Sequence, residues 1–219
     1  MPKISSALPR RSRWRALMLT GAVALGISAY ALLGTASAKP ASQTTFKLWA
    51  NKPFLSCAQA QGKHAKVSAT VTSGNLNDSM TLSLSGFKPN LAFSLFTIQK
   101  SNQLANGDPD PNFTNFGLAW YQSDMQVGAN GTGTVTIHTI LLNQIFGFDP
   151  AVSLAPTNTF HVGFWFDDPA DAAACGFTGT TPFNGEHNAG PNAFITRPDA
   201  VNDLGPLCTT PAGPGVCNP

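Results

Sequence analysis

Three absences narrow the field before any motif is read. Beyond Leu104 the chain has one basic residue, Arg197, against ten acidic ones, and no polybasic stretch survives outside the leader described below. A nucleic-acid footprint is therefore missing. There is no HExxH pair, no GxSxG elbow and no glycine-rich phosphate loop following a strand, so the zinc-peptidase, serine-hydrolase and nucleotide-binding signatures are absent. The four cysteines show no zinc spacing, and no internal repeat is visible.

What is present begins with a leader. Lys3, Arg10, Arg11, Arg13 and Arg15 form a basic head, residues 16–34 are uncharged and mainly apolar, and Ala36-Ser37-Ala38 fits a small-x-small cleavage site. This is the composition of a signal peptide over 1–38, cleaved after Ala38, and the long head points to bacterial export. Arg10-Arg11 has the look of a twin-arginine signal, but Arg13 and Arg15 stand where that motif takes apolar residues, which favours general secretion. The rival is an uncleaved anchor, because nineteen residues just span a bilayer. The Gly, Ser and Thr content of the run argues for cleavage, and the expected address is secreted, extracellular.

After the leader 181 residues remain, enough for one domain with a proper core. The expected division is a domain over 39–200 and a Pro/Gly-rich tail over 201–219. The exported chain has 8 basic and 11 acidic residues, a net of −3, and the charge is split along it. From Lys39 to Leu104 seven Lys face only Asp78, a net of +6, and the remainder has a net of −9. Such asymmetry bears on partners rather than on fold. In an exported chain Cys57, Cys175, Cys208 and Cys217 are most simply two disulfides. Of the three possible pairings we take Cys57–Cys175, tying the front of the chain to its centre, and Cys208–Cys217, closing the tail.

Alternation of apolar and polar residues sets the fold class. Residues 45–50 (TFKLWA) read as a first, edge-like strand. Over 66–72, Val67, Ala69 and Val71 share one face, and over 79–85 Met80, Leu82 and Leu84 do so, with hydroxyls opposite. Over 91–99 Phe93 and Leu95 oppose Phe96 and Ile98. Residues 116–127 read as one long or bent strand, and Asn130-Gly131 is a hairpin turn signal. A strand over 134–141 follows, with Val135 and Ile137 inward, then a short helical turn over 142–148, a central strand over 160–166 and a last strand over 193–196. About eight short strands separated by turns indicate an all-β, antiparallel β-sandwich.

Two stretches carry a resemblance. LSLSGFKPNLAFSLFTI resembles the strand–corner–strand of immunoglobulin-like and fibronectin-III-like sandwiches, with Phe93 where that corner usually has a Tyr. GANGTGTVTI, starting at Gly128, is similar to the tight hairpin of exported bacterial domains of that kind. Together they cover about a fifth of the chain, and they imply an architecture and no activity.

The chemistry-bearing residues concentrate in 159–195. In the central strand Phe160, Val162, Phe164 and Phe166 point to the core, leaving His161, Gly163 and Trp165 on the opposite face. A Trp beside a glycine groove could stack on a sugar; the plainer expectation is that a loop or helix covers it, as large aromatics are mostly buried. Asp167-Asp168-Pro169-Ala170-Asp171 looks like a cluster for metal or acid–base work, but Asp168 suits an N-cap, Pro169 the first helical position and Gly176 the end of a short helix over 169–175. Only Asp167 is then unexplained. Glu186 and His187 lie in a Gly/Asn-rich loop, and with His161 or Asp167 they could hold a divalent ion, though no spacing requires it. Asp108, Asp110 and Asn112 imitate the start of a calcium loop, yet Phe113 stands in place of its glycine, and a proline-stiffened turn is expected. The binding candidates are therefore His161, Trp165, Asp167, Glu186 and His187, with no catalytic residue, metal or cofactor assigned. The expected function is a non-catalytic extracellular module binding a glycan, protein or surface, with no nucleic-acid partner and no membrane partner after cleavage. The alternative is a metal-dependent or carboxylate-based hydrolase using Asp167, Glu186 and His187.

Overall fold

The structure, a computed structural model, describes residues 43–74, 76–139, 159–179, 181–184 and 187–208, with backbone alone for 182–184, 187, 188 and 208. The leader, the expected helical turn over 142–148, Glu186, Cys217 and the end of the tail lie outside the described residues.

The fold is all-β. Its strands are β1 Gln43–Ala50, β2 Lys66–Thr72, β3 Asp78–Ser85, β4 Ala92–Ile98, β5 Ala119–Gln126, β6 Thr132–Thr139, β7 Thr159–Phe166, β8 Thr181–Asn184, β9 His187–Ala189, β10 Asn192–Ile195 and β11 Leu207–Cys208. Eight of them form one sheet in the order β5-β4-β7-β10-β1-β2-β3-β6, β11 extends β7, and β8 pairs with β9 alone. Every named pairing is antiparallel. The expected strands are present, most of them within two or three residues of their expected ends, because alternation with period two fixes which face each side chain takes.

β1 is shared between two ladders: residues 43–48 pair with β2 and, as an edge, with no second described strand, whereas Trp49 and Ala50 pair with β10. β1 thus links two half-sheets, β5-β4-β7-β10 and β2-β3-β6. The Asn130-Gly131 turn also forms, with Gly128 N–H and carbonyl bonded to Thr132 and Gly131. It does not close a ladder between its flanking strands. β5 pairs with β4 and β6 with β3, so the turn carries the chain from one half-sheet to the other and leaves the sheet nearly closed.

One apolar cluster fills the space between the halves. Val67, Ala69, Val71, Met80, Leu82 and Leu84 enter it from one side, and Phe93, Leu95, Val162, Phe164, Phe166 and Phe194 from the other. Phe164 and Phe194 stack at 5.3 Å, and Phe93 meets Phe164 edge-on at 4.8 Å. The phenyl at the corner position has no hydroxyl to bond back to the chain, and packing against Phe87 at 5.7 Å holds it instead.

The outer faces of the two halves differ. On β4, β7 and β10, Phe96, Ile98, Trp165 and Ile195 form a second cluster, with Phe116 packed onto it. β4, β7 and β10 are buried on both faces, which is why β7 reads FHVGFWF with hardly a polar residue, whereas β5 leaves Trp120 and Tyr121 half-exposed. β2 and β3 instead alternate cleanly, because only their inner face is buried and the outer one is open.

Two local expectations are met. Residues Pro169–Cys175 form a helical segment of 3₁₀ type, in which the Asp168 carboxylate accepts from Ala170 N–H at 2.8 Å and Gly176 ends the segment with positive φ. Cys57, in the short helix α1 (Leu55–Ala58), is disulfide-bonded to Cys175. The second expected bridge involves the side chains of Cys208 and Cys217, outside the described residues.

Candidate binding surface

Among the described residues, the side chains singled out in the sequence do not gather. Trp165 is fully buried, so its indole is not an open platform; Phe96 and Phe116 pack edge-on against it at 5.4 and 5.0 Å. The glycine groove beside it is filled from within. A Cβ on Gly163 would lie 3.1 Å from the Trp165 ring and 3.3 Å from Ile195. The loop carrying Phe116 supplies the cover, so the plainer reading of Trp165 is the one the packing follows.

His161 is buried as well, its Nδ1 3.0 Å from the Thr196 hydroxyl, which also accepts from Val162 N–H. Asp167 accepts from the Ser94 hydroxyl at 2.8 Å. His161 and Asp167 stand six residues apart along extended chain, about 20 Å, so they cannot share one ion. Among the described residues no three His, Cys, Asp or Glu side chains converge. His187 lies in β9, but its side chain, like all of Glu186, is not described. In the imitation of a calcium loop, Asp108 pairs with Lys52 at 3.2 Å and Asp110 accepts from Asn112 N–H, which is the proline-stiffened turn expected.

Burial holds the His161 imidazole down at about 4, from its ordinary 6.5, because charging it would put an ion in the apolar interior. The sign follows from linkage. Between these values the unfolded chain binds a proton that the folded one does not, so stability is fully present above about 6.5 and falls as pH drops towards 4. The expected loss is on the order of 3 kcal/mol. Thermal melts from pH 7 to 4, compared with those of His161→Gln, check this; identical slopes for the two proteins would contradict it.

A different tryptophan carries the open surface. Phe46 and Leu48 of β1 point into the core, which places Lys47 and Trp49 on the outer face. Trp49 is 42% exposed. The Arg197 guanidinium lies 4.2 Å above its ring, and Arg197 Nε donates to Gln103 Oε1 at 3.0 Å while Gln103 Nε2 donates to the Ala50 carbonyl. Gly107 also lies against the guanidinium, so near that any Cβ there would collide with it. The indole is therefore held by a clamped cation, a contact worth about 0.5–1 kcal/mol at an exposed site.

Trp49 divides two hollows. One, of about 410 Å³, is lined by Lys47, Trp49, Arg197 and Asp199 among others. The other, of about 510 Å³, is lined by Lys47, Trp49, Lys66, Ser68, Ser83 and Ser85, without Arg197. The guanidinium thus lies over the indole, and Trp49 also lines the hollow over β2 and β3, which Arg197 does not.

From that hollow the outer face runs across β1, β2, β3 and β6 in register. Thr45, Thr70, Thr81 and Thr136 make one row, in which Thr45 and Thr70 hydroxyls lie 3.0 Å apart and Thr81 and Thr136 2.8 Å apart. Lys47, Ser68, Ser83 and Thr134 make the next. These side chains are exposed or half-buried.

The sequence holds the signal for Trp49, since alternation through TFKLWA puts it opposite Phe46 and Leu48. Arg197, Gln103 and Gly107 are distant in sequence and give no such signal.

A scan of known family models finds none that matches this chain, and searches of characterised proteins and of solved structures find no significant match. No helix among the described residues is long and apolar enough to cross a membrane.

Proposed function

We propose that this protein is a secreted, non-catalytic binding module that takes a glycan on the outer face of β1-β2-β3-β6, with Trp49 as its stacking platform. One observation carries the reading: a half-exposed indole held by Arg197 at the margin of an open, hydroxyl-bearing sheet face. A flat aromatic ring offers a sugar an apolar surface, and aligned hydroxyls supply donors and acceptors around it. The architecture within this proposal is an immunoglobulin/fibronectin-III-type sandwich. Two half-sheets sharing one core, with β1 passing between them, support it. A hydrolase built on Asp167, Glu186 and His187 has no specific observation in its favour among the described residues.

The test is retention of the purified protein on cellulose, chitin, xylan and peptidoglycan. Trp49→Ala should weaken binding to whichever matrix holds the native protein by about thirtyfold, the scale of a tryptophan hot spot. Thermal melts should show that the variant still folds. Undiminished retention of folded Trp49→Ala would refute the assignment.

A further inference from the structure

Resting on that reading, we propose that the ligand is an acidic glycan with carboxylate-bearing rings of the uronic-acid kind, its carboxylates met by Lys47 and Lys66 on either side of Trp49. Both lysines line the same hollow as Trp49. In the strand register Lys47 faces Ser68, and Lys66 is two residues further along β2, beside Ser85 of β3. Neither lysine pairs with a carboxylate of a described residue; the ion pair found among those residues is Lys52 with Asp108.

The surroundings point the same way. The outward positions of β1, β2, β3 and β6 are occupied by Thr, Ser, Lys, Gln, His and Trp, and none by Asp or Glu. Three of the four strands come from residues 39–104, where Asp78 is the only acid, so the charge split along the sequence is laid out on this face. Asp78, the acid nearest in sequence to these outward residues, is turned inward and buried, receiving Gly74 N–H.

Reach separates a polymer from a single sugar. Four strands at about 4.8 Å spacing make a face about 14 Å wide, and four residues taken alternately along a strand span about 20 Å. An oligosaccharide chain fits such a surface, with one ring on Trp49, acidic groups at the lysines and neutral hydroxyls meeting the Ser and Thr rows.

Affinity for polygalacturonate, for the same polymer after reduction of its carboxyls to alcohols, and for a neutral glucan separates the possibilities. Three variants are compared with the native protein: Trp49→Ala, the pair Lys47→Ala/Lys66→Ala, and the pair Lys88→Ala/Lys100→Ala, which removes the same charge from exposed positions elsewhere. We expect the Lys47/Lys66 pair to weaken polygalacturonate binding at least about tenfold and the Lys88/Lys100 pair less than about twofold, with carboxyl reduction weakening the native protein as the first pair does. Equal losses from the two lysine pairs would mean diffuse charge attraction and overturn the inference. So would equal affinity for the native and carboxyl-reduced polymers. If Trp49→Ala abolishes binding to a neutral glucan while the Lys47/Lys66 pair changes nothing, the acidic class is wrong and the binding module stands. If Trp49→Ala leaves all binding intact, the module itself is misplaced.

Discussion

Phe164→Ala is expected to lower stability by about 3–5 kcal/mol, enough to bring a domain of ordinary stability close to unfolding. The phenyl is fully buried, stacks on Phe194 and meets Phe93 edge-on, so truncation leaves a void bounded by rings from two neighbouring strands. Those neighbours are anchored on β4 and β10, each paired with β7, and cannot collapse far into the space. Urea unfolding monitored by tryptophan fluorescence gives the value. Phe113→Ala, in the covering loop and only partly buried, should cost distinctly less. A loss below about 1 kcal/mol at Phe164 would mean that the two half-sheets do not close on a packed phenylalanine layer.

The second large effect belongs to the Cys57–Cys175 bridge. It spans 118 residues, and a cross-link of that length removes unfolded-state entropy worth a little under 5 kcal/mol in the chain-entropy description. The double variant Cys57→Ser/Cys175→Ser should therefore melt at least about 10 °C lower than the native protein. Cys57 is buried, so reduction without denaturant should be slow. Proteolysis of the unreduced protein, followed by mass analysis, should recover the peptides of these two cysteines joined. Recovery of either one paired with Cys208 or Cys217 would refute the connectivity.

Much of the fold was legible because burial on one side of a sheet writes itself into period two. β2 and β3 are the clearest cases: each has apolar residues at every second position, and each forms at nearly its expected bounds. The 3₁₀ segment after β7 was equally readable, since Asp168, Pro169 and Gly176 are local signals that need no distant partner. The candidate site was far less so. Within β7 the tryptophan and histidine stood out by residue type, yet type does not reveal what packs on them. Trp165 is closed off by Phe116, 49 residues earlier in the chain, and His161 is joined to Thr196, 35 residues later. The value of Trp49 depends on an arginine 148 residues away.

By itself the sequence determined an all-β chain, the inner and outer faces of its strands, the capped segment after β7 and one disulfide, because each follows from local periodicity, local backbone preference or the pairing chemistry of cysteine. Only the tertiary structure decided which outer face is open. Phe116 of loop 99–118 covers Trp165, and Thr196 and Gly205 close on His161, turning both into core, while the register of β1, β2, β3 and β6 leaves their outer face bare with Trp49 beside Lys47 and Lys66. Coverage depends on contacts between residues far apart in the chain, and no local pattern records them.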